Sequence, residues 1–389
     1  MTEMVYGAAP ALRGDPMIPR WWRTVDRWSL ICVILLMAIG MLLGLAASPP
    51  LAERNGLEPF WYVKKQLMFG TLGLIAMIGA SVLPAATIRR LGVMGFAFCL
   101  AALILLPVFG TNFGKGAIRW YSLGVGSVQP SEFMKPCFII ICGWLMAAAH
   151  QIDGPPGRAM SFVVAVTLVG ILAMQPDFGQ ASLIVFSWGV MYFVAGAPWW
   201  ILCGVAGLVI FGGVAAYELS SHFAGRIDGF LAETVDPTSQ IGYASNAIRE
   251  GGVFGVGLGG GEVKSTLPDA HTDFIIAVAA EEYGLVLVLV ILALYAMVVI
   301  RSLMRLLKES DPFVRIAGCG LACVFGMQAA INMGVAVRLL PTKGMTLPFV
   351  SYGGSSVIAA GITVGALLAL TRTRPQGRMA EVLKKAQRR

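Results

Sequence analysis

Charged side chains are scarce in this 389-residue chain: Asp, Glu, Lys and Arg make up 13% of it, where a soluble globular domain carries about 25%. That is too little polar surface to cover a water-soluble body of this size. Histidine is scarcer still, with three residues and none at ligand spacing, so no built-in zinc site is visible. The seven cysteines (Cys32, Cys99, Cys137, Cys142, Cys203, Cys319 and Cys323) all fall in apolar segments and form no C-x-x-C pair. They read as buried free thiols that pack as small hydrophobes. The net charge of +8 is not concentrated in a basic domain with interleaved aromatics, so no nucleic-acid partner is expected.

Apolar residues are abundant instead, at 57%. The first apolar run, Trp28 to Ala47, is about as long as a bilayer crossing requires and too long for a signal-peptide core, so it reads as a retained first span. Further runs lie near 66–84, 91–109, 132–149, 159–175, 181–196, 200–217, 273–300, 313–336 and 352–371. The chain is therefore expected to be an all-α integral membrane protein with about ten transmembrane helices. Residues 1–27 form an N-terminal tail, 28–371 a polytopic membrane domain, and 372–389 a basic C-terminal tail. Most Lys and Arg residues, including Arg20, Arg23, Arg89, Arg90, Arg158, Arg301, Arg305 and the tail, fall on one side. The positive-inside rule then places both termini in the cytoplasm. A long extracytoplasmic loop, about 218–272, separates spans seven and eight, and its length favours a functional role. Gly40/Gly44 and Gly361/Gly365 are G-x-x-x-G steps suited to close helix packing within the chain.

Ionisable residues at membrane depth are costly and so become functional candidates. Glu132 and Lys135 share a helix face. They can be a structural ion pair or can serve a substrate or cation, and Pro136 should loosen that turn. Asp177 sits in a turn between spans, as a helix cap or as part of a site. Asp273 lies where the polar loop enters a long apolar helix. Thr272 could cap that helix, and Asp273, Ala277 and Glu281 would form one stripe. Spacing alone leaves Asp273 open between a first-turn helix acid and a catalytic or ion-coupling group. Of Glu281 and Glu282, one should face the interior and pair with a basic group or a backbone amide. The run Gly255 to Gly261 resembles a phosphate-cradling loop without the flanking strand and helix, and reads better as a hinge or an anion-binding backbone. The small residues Ser351 to Ser356 open the last span, where they suit close packing or a ligand. A transporter and an enzyme acting on a lipid-linked substrate both fit these features, and the long outer loop favours the enzyme.

Several long motifs, in order, resemble the SEDS family (shape, elongation, division and sporulation). They are Arg119-Trp120, Gln129-Pro130-Ser131-Glu132-Phe133-Met134-Lys135-Pro136, Gln175-Pro176-Asp177-Phe178-Gly179, Leu267 to Ile275, and Leu340 to Ser356. Pro341-Thr342-Lys343-Gly344 is more similar to the division-type branch than to the elongation-type branch. The resemblance implies ten spans and an inverting peptidoglycan glycosyltransferase that polymerises lipid II, an undecaprenyl-linked substrate, outside the membrane. It implies Asp273 as the catalytic base, with Arg119, Lys135, Glu132, Asp177, Lys343, Ser351 and Ser355 as substrate-binding candidates. No cofactor is built in, and the pyrophosphate leaves room for a divalent cation, Mg or Mn. The implied partners are a class B penicillin-binding protein transpeptidase and other divisome membrane proteins, in the cytoplasmic (inner) membrane at the division septum. A lipid II flippase and an elongation-type polymerase are the alternatives. The chain departs from the family pattern at Ala244, Ala336, Arg338 and Asp269.

Overall fold

The computed structural model describes residues 17–112, 118–122, 124, 126–151, 153–219, 221–232, 239–257, 259–262, 267, 270–341 and 344–373. A chain this apolar must satisfy its backbone hydrogen bonds within each span, which in lipid selects helices. Among the described residues, thirteen helices result. A short α1 (Met17–Thr24) precedes α2 (Arg27–Arg54), α3 (Trp61–Val82), α4 (Ala85–Phe109), α5 (Pro130–Ala148), α6 (Gly157–Met174), α7 (Phe178–Val194) and α8 (Trp199–Leu219). Two further helices follow, α9 (Ser221–Leu231) and α10 (Gln240–Gly251). The last three are α11 (Ile275–Leu306), α12 (Pro312–Ala336) and α13 (Ser355–Leu370). A two-stranded antiparallel pair, β1 (Tyr121–Ser122) against β2 (Ser127–Val128), lies within the α4–α5 connection.

Every expected span falls on a helix. Eight of these helices are long and apolar enough to cross a membrane, and Phe178–Val194 and Ser355–Leu370 are shorter apolar helices. The expected long loop is not free of structure: α9 and α10 lie inside it. These are only 11 and 12 residues long and mix polar with apolar residues, so no apolar run announced them. The first span runs through Pro49 and Pro50 to Arg54, further than expected.

The two G-x-x-x-G steps pack within the chain. A Cβ on Gly40 would lie 2.7 Å from the Phe349 carbonyl oxygen and the Val350 Cα, and one on Gly361 would collide with the Gly73 carbonyl of α3. α12 and α5 are the most enclosed of the long helices, and α8 has no buried residue at all.

At the end of the bundle where α2 starts and α11 ends, Asp26 accepts from Arg301 Nη2 at 2.8 Å and Arg305 Nη2 at 3.0 Å. Arg305 also donates to the Thr371 carbonyl, and Arg372 to the Val82 and Leu83 carbonyls. The start of α2 and the segment after α13 are thereby tied to the same pole of the bundle.

Candidate active site

The polar residues collect at the opposite pole, where α5, α7 and α13 begin and α6 and α12 end. Pro130 and a backbone turn from Glu132 N to the Gln129 carbonyl start α5, which then continues through Pro136. Glu132 and Lys135 form a buried ion pair at 2.7 Å. Lys135 also donates to Gln328 Oε1 at 2.7 Å, and Gln180 Nε2 donates to Glu132 Oε1 at 2.6 Å. This geometry matches the ion-pair alternative: each partner is engaged by an additional amide.

Asp177 is the N-cap of α7 and accepts from the Gln180 amide at 3.4 Å and from Gln129 Nε2 at 3.2 Å. Its burial outweighs the nearby charge of Arg119 and pushes its carboxyl above the ordinary value. Arg119, half-buried, donates through Nε to the Gln175 carbonyl at 3.0 Å and through Nη2 to the Pro176 carbonyl at 2.6 Å. It therefore holds the turn that presents Asp177. Ser355 Oγ accepts from the Gln129 amide at 3.3 Å, and Ser351 Oγ from the Leu347 amide at 3.0 Å.

Asp273 sits on the rim of this network. A Cβ on Gly344 would lie 3.2 Å from Asp273 Oδ2, so the carboxylate faces the segment leading into α13. Lys343, the candidate cation beside it in sequence, lies outside the described residues, as does Asp269. Thr272 does not cap the helix. The chain turns over residues 271–274 before α11 begins, and its N-cap is Phe274 without a side-chain cap bond. Asp273 thus precedes the helix, while Glu281 is buried within it, so the two carboxylates do not form a helical stripe.

Two uncharged residues, one helical turn apart on α12, connect the parts. Gln328 Nε2 donates to the Thr346 carbonyl at 3.0 Å, and Asn332 Nδ2 to the Asp273 and Met345 carbonyls at 2.9 and 2.6 Å. Neither residue stood out in the sequence. Their four-residue spacing within an apolar span was the available signal. The rings of Tyr62, His271 and Tyr352 form a mutually contacting cluster next to the same turn, with centroids 5.1–5.6 Å apart.

Among the described residues of the glycine-rich run, the amides of Val256, Gly257 and Gly259 are taken by the protein's own acceptors. Gly284 breaks α11 with φ +74°, which releases the Glu281 and Glu282 carbonyls from their helical donors. Val256 N and Gly257 N take those carbonyls at 2.9 and 3.1 Å, while Leu285 N and Val286 N turn to the Gly252 and Val253 carbonyls. Gly259 N donates to Glu282 Oε1 at 3.3 Å, the backbone-amide partner expected for one of the two glutamates. Among the described residues, no group of three His, Cys, Asp or Glu side chains is placed to hold a metal ion.

Apolar helices that enclose a connected polar network at one pole define a multi-pass membrane protein with a site at one face. Residues 26–376 match the FTSW_RODA_SPOVE family, described as Cell cycle protein, and the chain belongs to it. It is 42% identical, over 91% of both chains, to the probable peptidoglycan glycosyltransferase FtsW of Caulobacter vibrioides. It is 34% identical to the corresponding Halorhodospira halophila protein, over 92% of this chain and 95% of that one. Among solved structures it resembles a chain of a peptidoglycan synthase complex that coordinates polymerization and crosslinking, with a TM-score of 0.74 and 28% identity over 89% and 97% of the two chains. It also resembles the rod shape determining protein RodA of Thermus thermophilus, with a TM-score of 0.65 and 26% identity over 90% and 97%.

Proposed function

We propose that this chain is a division-type peptidoglycan glycosyltransferase that polymerises lipid II, with Asp273 as the general base. The observation that carries the proposal is the placement of Asp273. Its carboxylate stands at the rim of the polar pole, its backbone is held by Asn332, and it faces the Gly344 segment. Relatives named peptidoglycan glycosyltransferase FtsW, similar over nearly the whole chain, support the activity and favour division over elongation.

In the proposed step, the Asp273 carboxylate takes the proton of the acceptor sugar's 4-hydroxyl as that oxygen attacks the donor's anomeric carbon. The undecaprenyl pyrophosphate leaves from the opposite face, and the α-linked donor becomes a β-1,4 bond. General-base assistance of this kind contributes about 10²–10⁴-fold. Arg119 and Lys343 are proposed to counter the leaving pyrophosphate, and Ser351 and Ser355 to shape the segment that borders it. Glu132, Lys135 and Asp177 brace the site from behind. A divalent cation, Mg or Mn, would arrive with the pyrophosphate and take most of its ligands from phosphate and water.

We place the site at the outer face of the inner membrane, with both termini in the cytoplasm and the protein at the septum. The distribution of Lys and Arg supports that orientation. A class B penicillin-binding protein is the proposed partner, by analogy with the polymerising and crosslinking complex that the fold resembles.

The test is polymerisation of labelled lipid II by the purified chain with that partner. Asp273→Ala and Asp273→Asn are expected to abolish polymer while leaving the protein folded. Normal polymer from Asp273→Ala, or lipid II flipping without polymer, would overturn the assignment.

A further inference from the structure

A well-formed cavity lies away from the polar pole. It is a cleft of about 840 Å³ at the far end of α6, bounded by the α5–α6 turn, α6, α7 and α8. Its volume falls within the roughly 300–1,000 Å³ typical of small-ligand sites. α6 spans 18 residues, so the cleft lies nearly a membrane thickness away from Asp177. We propose that this cleft binds an anionic glycerophospholipid of the leaflet at that pole. Arg158 holds the phosphate and an acyl chain lies between α7 and α8.

Arg158 supplies the first part of the case. Its Nη2 donates to the Ala195 carbonyl at 2.7 Å, one of the orphan acceptors at the end of α7. That bond fixes the guanidinium at the cleft. Its Nε is enclosed and has no hydrogen-bond partner among the described residues. A buried guanidinium N–H without an acceptor calls for one, and the planar fork of arginine suits two oxygens of a phosphate.

The walls supply the second part. Trp188 and Tyr192 stack with centroids 4.6 Å apart, Phe162 packs 5.6 Å from Trp188, and Trp188 Nε1 donates to Ser161 Oγ at 3.3 Å. The floor is therefore rigid and aromatic. On the other side stands α8, with no buried residue along its length. The walls formed by Gly204, Val205 and Leu208 are apolar and lead toward the membrane interior. Trp199 and Trp200 are exposed at the start of α8, the level at which Trp marks a membrane interface. A charged mouth at headgroup level above an apolar trough has the shape of a lipid.

The occupant follows from the charge. A docked partner helix would cover the trough with apolar side chains and leave the Arg158 Nε unpaired. A free phosphate would satisfy Arg158 but leave the trough empty. A zwitterionic headgroup brings its own cation against Arg158, so an anionic headgroup is favoured.

The experiment uses the full chain in nanodiscs of phosphatidylcholine with or without phosphatidylglycerol. Retained lipid is counted by native mass spectrometry, and thermal unfolding is recorded alongside. The wild-type protein is expected to retain phosphatidylglycerol preferentially and to melt higher in its presence. Arg158→Gln is expected to weaken that preference about tenfold, the equivalent of one charge-assisted hydrogen bond. Gly204→Trp keeps Arg158 but fills the trough, and a Cβ there meets no protein atom, so this variant should fold normally and lose the retained lipid. It carries the test if Arg158→Gln misfolds. Equal retention of the two lipids, an undiminished preference in either variant, displacement of phosphatidylglycerol by inorganic phosphate, or a protein helix found in its place would each overturn the proposal.

Discussion

Asn332 Nδ2 hydrogen-bonds the backbone carbonyl of Asp273 at 2.9 Å, so a neutral amide near the end of α12 holds the turn that carries the proposed base. The same nitrogen reaches the Met345 carbonyl at 2.6 Å, which joins that turn to the Gly344 segment across from it. Asn332→Leu leaves both carbonyls without this donor, at a cost of about 1–3 kcal/mol in stability. The expected kinetic signature is a fall in kcat of about 10²-fold with KM for lipid II nearly unchanged, because the base is misplaced while substrate contacts persist. Polymerisation kinetics together with thermal unfolding check this. Asn332→Asp should be worse, since a carboxylate cannot donate to either carbonyl.

The pair Glu132–Lys135 is expected to behave as a structural unit. Both side chains are almost fully enclosed, at 5% and 4% exposure. Lys135→Met strands a buried carboxylate and should destabilise the fold by about 3–5 kcal/mol. Glu132→Gln combined with Lys135→Met removes both charges and should recover most of that loss. Thermal unfolding of the two single variants and the double variant measures the coupling. If Lys135 instead serves the pyrophosphate, the double variant would regain stability but not activity.

Asp26 gives the fold a pH dependence at the opposite pole. Burial by itself would raise its carboxyl, but hydrogen bonds from Arg301 and Ser29, with the charges of Arg305 and Arg301, outweigh that and hold it below its ordinary value. A carboxyl depressed in the folded state contributes stability above its unfolded value of about 3.9 and loses it as pH falls through the folded value. Asp26→Asn is therefore expected to lower stability at neutral pH by about 2 kcal/mol, a figure reduced for the partial exposure of both arginines. The difference from wild type should vanish in melts recorded well below pH 4.

The spans were legible because lipid asks only for length and apolarity, and Trp28 to Ala47 or 313–336 supply both. The Glu132–Lys135 pairing was legible for a similarly local reason, a three-residue spacing on one helix. What stayed hidden depends on partners far away in the chain. Gln180 meets Glu132 48 residues distant, and Gln328 meets Lys135 193 residues distant. An isolated amide in an apolar run announces neither. Thr272 has the composition of a helix cap, but capping depends on where the turn over 271–274 releases the chain, and it releases it two residues later. The glycine run read as a hinge or an anion-binding backbone because the acceptors it serves, the Glu281 and Glu282 carbonyls, are exposed only by the break at Gly284.

Arg338 has a specific task here. It follows α12 with φ +57°, and its Nη2 donates to the Phe230 carbonyl at 3.3 Å and to the Ala232 carbonyl, both at the end of α9. A cation at that helix terminus satisfies orphan acceptors and opposes the helix dipole. Arg338→Ala loses the tether and keeps a backbone conformation that side chains disfavour. Arg338→Gly loses the tether but relieves the backbone. Both variants should raise amide hydrogen exchange across residues 221–231. Arg338→Gly should also be more stable than Arg338→Ala by about 1 kcal/mol, the usual cost of a non-glycine residue in the left-handed region, which the wild-type arginine already bears. Unchanged exchange in α9 with either variant would mean that the helix is held by other contacts and that Arg338 has no bearing on it.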